Sequence, residues 1–178
     1  MMQTHAEGVD VAELPARRVK DSEVTLAIVM MPADANPSGN VHGGVITRHV
    51  DEAGALAAVR HCRMRVVTAH IDGMSFLAPV YVGDLVTFKA SINDVGHTSL
   101  EVGVRVEAEN LRTGEIRHIA TAYIVYVALD DEGRPTPVPP LIVETEAEKK
   151  RQAAARVRRE FRSRREAALR ASDESFLA

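Results

Sequence analysis

The sequence predicts an α+β domain in which a long central helix is wrapped by an antiparallel sheet, with a charged helix after it. The first observation is an apolar stripe of Ile46, Val50, Ala53 and Ala57, which recur at helical spacing. The second is that one segment of alternating polar and apolar residues precedes the stripe and further strand-like segments follow it. Because a single amphipathic helix must bury its stripe against another layer, we expect the sheet to cover it.

The segments before the helix are predicted to be a tail, a strand and a loop. Residues 1–20 have no sustained period, and we expect them to form a flexible tail. Residues 24–30 alternate and are predicted to form the first strand. Pro32 and Pro37 then end the strand and open an irregular loop that leads into the helix.

Four strands are expected after the helix, following one another as a meander over residues 66–76, 85–95, 100–108 and 116–129. Thr68, His70 and Asp72 are predicted to share one face of the first of these strands, because side chains alternate along a strand. Gly73 suggests a bulge. A polar sheet surface is the ordinary interpretation of this group, and an acid–base pair of His70 and Asp72 is the alternative.

The domain is expected to span residues 21–143 and to be followed by a charged C-terminal helix or tail over residues 144–178. This last segment holds 10 Lys and Arg against 7 Asp and Glu, with acids at its start, and so complements a helix dipole. A solvated helix is the default prediction. The alternative is that its arginines contact the phosphates of a nucleotide-bearing substrate or a neighbouring subunit.

Composition limits the classes of partner. A net charge of −3 over 178 residues argues against a nucleic-acid-binding protein. No apolar run is long enough to span a membrane, and the N-terminus lacks a signal pattern. The single cysteine, Cys62, cannot form an internal disulfide, so we expect a reducing, cytoplasmic location. Although His61 precedes it, a small packed residue is the ordinary interpretation of this cysteine, and a nucleophile is the alternative.

The candidate site lies where a glycine-broken loop enters the helix. Gly43 and Gly44 place backbone N–H groups at a helix start, where partial positive charge suits a developing oxyanion. Asn40 lies just upstream and Asp51 about two turns into the helix, so an amide, free donors and one carboxylate could form a hydrolytic set. On spacing alone a solvated helix acid is the ordinary interpretation of Asp51, and a catalytic carboxylate is the alternative. Glu52 is better explained as the i,i+4 ion-pair partner of an arginine on the exposed face.

These residues carry a family resemblance that extends over residues 26–151. The sequence resembles the cytosolic acyl-CoA hydrolases, including the brain enzyme and single-domain bacterial acyl-CoA thioesterases, which have the hotdog fold. The matching stretches are Met31-Pro32-Ala33-Asp34-Ala35-Asn36-Pro37-Ser38-Gly39-Asn40-Val41-His42-Gly43-Gly44, Val50-Asp51-Glu52-Ala53-Gly54 and Gly96-His97-Thr98-Ser99-Leu100-Glu101-Val102. The resemblance implies that Asn40 and Asp51 are catalytic.

The resemblance also implies hydrolysis of acyl-CoA to a free fatty acid and coenzyme A. Asp51 would act as general base or as nucleophile, and Asn40 would orient water or the substrate carbonyl. The N–H groups of Gly43 and Gly44 would bind the oxyanion. Coenzyme A is part of the substrate, and no further cofactor or metal is expected, since the histidines lack ligand spacing. The candidate pantetheine-binding residues are Thr68, Gly96, Thr98 and Ser99.

A dimer is expected, because one chain can hardly bring Asn40 and Asp51 to a single carbonyl carbon. A trimer of such dimers is expected alongside the family resemblance. Asn40 of one chain would then face Asp51 of the other. Two rival functions are a hotdog dehydratase, whose catalytic His-Phe-Pro-Gly-like loop is absent, and a non-enzymatic acyl-CoA-binding sensor. The presence of both Asn40 and Asp51 favours hydrolysis.

Overall fold

The computed structural model describes residues 14–176, so most of the tail predicted for residues 1–20 lies outside the described residues. The predicted α+β architecture is confirmed. The elements in chain order are β1 (Arg17–Arg18), β2 (Val24–Val29), α1 (Gly43–Cys62), β3 (Arg65–Phe76), β4 (Asp84–Val95), β5 (Ser99–Asn110), β6 (Ile116–Leu129), β7 (Leu141–Ile142) and α2 (Glu146–Phe176).

The main sheet has five antiparallel strands in the order β2-β4-β5-β6-β3. The predicted meander is therefore right for β4, β5 and β6 and wrong for β3, which pairs with β6 at the far edge. The connection from β3 to β4 is too long for a tight hairpin and contains Pro79, which has no N–H to donate. Val80 in this connection is buried, and its carbonyl accepts the N–H of Val41 at 2.8 Å.

Helix α1 packs its apolar stripe on the inner face of the sheet, as predicted. Ala53, Ala57 and Ala58 are fully buried, and such small side chains let the helix backbone approach the strands closely. The inner-face residues packed in the same core include Phe88, Leu100, Val102, Val104, Val106, Ala120, Ala122 and Ile124. This contact fixes the position of α1 along its axis and its rotation about that axis, and so sets which of its side chains face β3 and β6.

Helix α2 lies against the outer face of the same sheet, so the expectation of a solvated helix is wrong for the side that faces β4 and β5. Its arginines reach carboxylates that project from the strands, and their long aliphatic stems cover the surface between. The ion pairs are Arg158 with Glu101, Arg159 with Asp94, and Arg162 with Asp72. The carboxylates of all three pairs are nearly buried.

The short strands β1 and β7 pair in parallel beside the main sheet. The N–H of Arg17 donates to the carbonyl of Pro140 at 2.9 Å, and Val19 is buried. The end of the segment predicted as a tail is thus held against the proline-rich segment that leads to α2, while the domain boundary at residue 20 stays a prediction. None of the described helices is both long and apolar enough to cross a bilayer.

Candidate active site

Asp51 lies where α1 crosses β3 and β6, and two hydroxyl groups hold its carboxylate. The Thr68 hydroxyl donates to Asp51 Oδ1 at 2.8 Å. The Tyr126 hydroxyl lies 3.1 Å from the same oxygen and 2.9 Å from the Asp51 carbonyl. Oδ2 has no hydrogen-bond partner among the described residues. One carboxylate oxygen is therefore fixed, and the other is free to accept a proton or a hydrogen bond.

Tyr126 can act at this place only as a donor. Its side chain is fully buried, and burial, reinforced by the nearby negative charge of Asp51, raises the pKa of the phenol. Gly54 makes room for the hydroxyl, because a Cβ at this position would lie 2.4 Å from Tyr126 Oη. Gly54 thus has a specific role in placing the phenol against Asp51.

A β-bulge after Thr68 turns the next residues of β3 to the opposite face. Thr68 pairs with Tyr126 while His70 pairs with Val125, so the register shifts between them and Ala69 is the extra residue. The prediction that Thr68, His70 and Asp72 share a face is therefore wrong. His70 Nε2 lies 3.2 Å from Asp72 Oδ1 on the outer side, where Asp72 also contacts α2.

The start of α1 opens into a separate cavity of about 370 Å³, lined by Asn36, Asn40, Val41, Gly43, Ile46, Phe76, Leu77, Ala78, Pro79 and Val80. The N–H of Gly43 has no hydrogen bond among the described residues. The N–H of Gly44, in contrast, donates to His42 Nδ1 at 2.9 Å and caps the helix. The expectation of two free donors is met by Gly43 alone.

Asn36, which the sequence reasoning missed, has its side chain oriented by the loop. Its Oδ1 accepts the N–H of Ser38 at 2.9 Å and the N–H of Asn40 at 3.3 Å. This fixes the amide plane and leaves the Nδ2 donors of Asn36 unused. The Asn40 side chain has no hydrogen bond among the described residues. An asparagine followed by Pro-Ser-Gly is a local turn signal that could have identified Asn36.

Within one chain, Asp51 does not reach this cavity. It lies eight residues along α1 from Gly43, which corresponds to about 12 Å of helix rise. The predicted site residues therefore form two groups in the protomer. Asn40 and Gly43 lie at one end of α1, and Asp51 and Thr68 lie in its middle.

The remaining predicted residues, Gly96, Thr98 and Ser99, form the hairpin between β4 and β5 and are not brought to Asp51. The Gly96 N–H donates to the Ser99 carbonyl at 2.7 Å, and the Thr98 carbonyl accepts the Ala128 N–H at 2.9 Å. A Cβ at Gly96 would lie 2.8 Å from Ser99 Oγ, so the tight hairpin itself requires this glycine.

Cys62 and His61 do not form a nucleophilic pair. The Cys62 thiol is buried and contacts the Met64 carbonyl, and burial raises its pKa, which disfavours the thiolate. His61 is fully buried and lies 3.0 Å from the Pro139 carbonyl, while burial lowers the pKa of its imidazole. Both residues are packed in the core.

Comparison with known proteins adds an independent line of evidence. The model of the Thioesterase superfamily matches residues 38–115. The Bacillus subtilis protein named uncharacterized acyl-CoA thioester hydrolase YkhA is 39% identical over 137 residues, which cover 76% of this chain and 80% of that protein.

Two solved structures superpose on most of the chain. The acyl-CoA hydrolase of Staphylococcus aureus, solved in complex with butyryl coenzyme A, coenzyme A and coenzyme A disulfide, superposes with a TM-score of 0.83 at 30% identity and covers 92% of this chain and 100% of that one. A hexameric acyl-CoA thioesterase superposes with a TM-score of 0.84 at 36% identity and covers 86% of this chain and 99% of that one.

The Staphylococcus aureus protein has also been solved as three single alanine variants. They replace an asparagine, an aspartate fifteen residues after it, and a threonine seventeen residues after the aspartate. Sequence identity over most of both chains, together with the shared architecture, gives one conclusion. The chain belongs to the acyl-CoA thioester hydrolases of the hotdog-fold thioesterase superfamily.

Proposed function

We propose that this enzyme hydrolyses acyl-CoA to a free fatty acid and coenzyme A with Asp51 as the general base. The observation that carries the proposal is the Asp51 carboxylate, in which Thr68 and Tyr126 hold one oxygen and the other is open. A carboxylate fixed in this way can take a proton from water as the water attacks the thioester carbonyl. Direct attack by the free oxygen to give an anhydride is the alternative route.

The asparagine of the site is Asn36 in this proposal. The asparagine, aspartate and threonine varied in the Staphylococcus aureus hydrolase have the spacing that separates Asn36, Asp51 and Thr68 here, whereas Asn40 is only eleven residues before Asp51. The fixed amide of Asn36 offers its Nδ2 donors to water or to the carbonyl oxygen. Asn40, the residue suggested by the sequence alone, then supports Asn36 through its backbone, whose carbonyl accepts the Asn36 N–H at 2.7 Å.

The free N–H of Gly43 completes the stabilisation of the tetrahedral oxyanion. It lines the same cavity as Asn36 and lies at the positive end of the α1 dipole. The N–H of Gly44 can bind the oxyanion as well only if its hydrogen bond to His42 Nδ1 breaks when the substrate binds. Removal of one such donor typically costs about 10²–10³ in kcat, so a single free N–H is sufficient for a large effect.

A two-fold dimer brings the two groups together. Asn36 and Gly43 of one chain would face Asp51 and Thr68 of the other, because a two-fold axis repeats each contact. The edge strand β3 supports this, since its outward hydrogen-bonding groups are unpaired among the described residues and its apolar side chains Val67, Ile71 and Phe76 are half exposed. The hexameric relative agrees with a trimer of such dimers.

The coenzyme A portion would extend along this boundary, with Gly96, Thr98 and Ser99 as pantetheine contacts and no further cofactor. The single cysteine supports a reducing, cytoplasmic location.

The deciding experiment is turnover of a series of acyl-CoA thioesters, with free coenzyme A detected by a thiol reagent. We expect multiple turnovers per subunit. Saturable binding of acyl-CoA without release of thiol would instead assign the chain to the sensor function. Replacing Asn36 and Asn40 separately by alanine tests which asparagine orients the water or the substrate carbonyl. We expect kcat to fall much further for Asn36→Ala. A larger fall for Asn40→Ala would assign this role to Asn40.

A further inference from the structure

A second and larger cavity, of about 550 Å³, lies on the outer face of the sheet beneath the first turns of α2. Its walls are β4, β5, β6 and residues 150–158 of the helix. It shares no lining residue with the cavity at the start of α1, and the sheet separates it from Asp51. Its volume is in the range of small-molecule sites.

The floor of this cavity presents a buried acceptor without a partner. Asn93, the extra residue of a bulge in β4, is only 2% exposed and donates from Nδ2 to Glu101 Oε1 at 3.1 Å. Because a carboxylate only accepts, this contact fixes the orientation of the amide, and Oδ1 has no hydrogen-bond partner among the described residues. A buried acceptor left in this state destabilises the fold, so the site favours a ligand that donates a hydrogen bond.

Gly103 gives this floor its shape. A Cβ at Gly103 would lie 2.7 Å from Asn93 Nδ2, so only glycine leaves room for the amide beneath the cavity. Ser91 and Thr121 add hydroxyl groups to the wall. The lining thus offers an amide and hydroxyls at its base, which is a surface suited to a polyhydroxylated group.

The rim of the cavity carries two cations that form no ion pair with any described residue. Lys150 and Arg151 have no ion-pair partner within 4 Å in the part of the chain that the structure describes. The other lining cations are paired: Arg158 with Glu101 at 2.6 Å, and Lys89 and Arg105 both with Glu107 at 2.6 and 2.7 Å. Glu23 is a lining carboxylate, so two unpaired cations face one acid.

We propose that this cavity binds a sugar phosphate, either free or as the ribose phosphate of a nucleotide. Lys150 and Arg151 hold the dianionic phosphate at the rim. A sugar hydroxyl donates to Asn93 Oδ1 when the amide shifts toward the cavity, because this atom is almost completely covered in the structure. The Glu23 carboxylate can accept a second hydroxyl. This site is distinct from the one proposed for the thioester, and it does not depend on that proposal.

Isothermal titration of the full chain with ribose 5-phosphate, ADP and inorganic phosphate tests the site. We expect ribose 5-phosphate or ADP to bind at least tenfold more tightly than inorganic phosphate, because phosphate alone leaves Asn93 Oδ1 unpaired. Binding by ADP alone identifies a nucleotide, and binding by both identifies the sugar phosphate unit as sufficient. Equal binding of inorganic phosphate, or no binding of any probe, overturns the proposal.

Variants on the surface of α2 locate the binding. Lys150→Ala with Arg151→Ala should weaken ribose phosphate binding at least tenfold. The matched control is Lys149→Ala with Arg164→Ala, which removes the same charge from the same helix but from side chains paired with Glu146 and Glu160. Equal loss in both variants means non-specific attraction and contradicts the site.

The tighter of the two sugar phosphates, at a saturating concentration, should leave KM for acyl-CoA unchanged. A competitive rise in KM would place the probe in the thioester site and also overturn the inference.

Discussion

The two faces of the central sheet are packed by different chemistry. On the inner face, α1 meets the strands through alanines, glycine and aliphatic side chains, with Asp51, Thr68 and Tyr126 as a small polar group in their midst. On the outer face, α2 meets the same strands through arginines paired with nearly buried carboxylates. A single alternating strand, β5, serves both faces, since its even-numbered residues from Leu100 to Ala108 are apolar and its odd-numbered residues include Glu101, Arg105 and Glu107.

We propose that the inner face serves catalysis and that the outer face anchors α2. The inner face holds the Asp51 carboxylate with one open oxygen, and we propose that this carboxylate acts as the general base. The outer face neutralises each buried carboxylate with an arginine, which holds a helix in place. Variants of the inner group should therefore change turnover, and variants of the outer pairs should change stability.

The largest effect is expected at Asp51. Asp51→Ala should lower kcat for acyl-CoA hydrolysis by roughly 10²–10⁴, the usual contribution of a positioned acid–base group. Glu52→Ala is the matched control, because that neighbouring carboxylate points outward to Arg48 and His49. Steady-state kinetics on the two variants compares them directly. A loss for Glu52→Ala as large as that for Asp51→Ala would refute the assignment.

A smaller effect is expected from the glycine that admits Tyr126. Gly54→Ala places a Cβ 2.4 Å from the Tyr126 hydroxyl, so the phenol must move away from Asp51. We expect about a tenfold loss of kcat and a loss of about 1–3 kcal/mol in the free energy of unfolding.

Gly73→Ala is the control for this variant, because a Cβ at Gly73 has no neighbour within 4 Å. Kinetics and denaturant titration should find Gly73→Ala close to wild type. A wild-type kcat in Gly54→Ala would mean that Tyr126 is not needed beside Asp51.

The outer face should respond in stability alone. Arg162→Ala leaves the nearly buried Asp72 carboxylate with only His70, so we expect a loss of about 2 kcal/mol in the free energy of unfolding. Arg164→Ala, which breaks an exposed pair with Glu160, should change it by less than about 0.5 kcal/mol. Urea titration at one fixed protein concentration measures both. Equal effects would contradict the buried anchoring of α2.

Local patterns predicted the elements and the inner face. Alternation in β5 and the stripe of Ile46, Val50, Ala53 and Ala57 are set by neighbouring residues, and both were correct. The pairing of β3 with β6 could not be predicted, because it depends on contacts about fifty residues apart in sequence. The ion pairs of α2 join residues still further apart, so charge alone suggested a solvated helix.

The candidate site was predictable in part for the same reason. The positions of Asp51 and Gly43 on α1 followed from local sequence, whereas the catalytic role of Asp51 came from the family resemblance and stays a prediction. The contact of Thr68 with Asp51 joins two elements seventeen residues apart, and the bulge at Ala69, which separates His70 from Thr68, has no local signal in the sequence. Asn36 and Asn40 are four residues apart in one loop, and the hydrogen bonds of the folded loop show that only the Asn36 side chain is held by it.

The most direct test of the shared site is complementation between two inactive variants. Asn36→Ala and Asp51→Ala damage different halves of the proposed site, so a mixed dimer keeps one intact site out of two. Random pairing after co-expression makes half of the dimers mixed, and activity should recover to about a quarter of wild type. Mixed dimers purified through two different affinity tags should reach about half of wild-type kcat per dimer, and hexamers that carry both tags should reach about a quarter, because they also contain unmixed dimers. If the purified mixed dimer is as inactive as both parents, Asn36 and Asp51 do not meet across a two-fold interface.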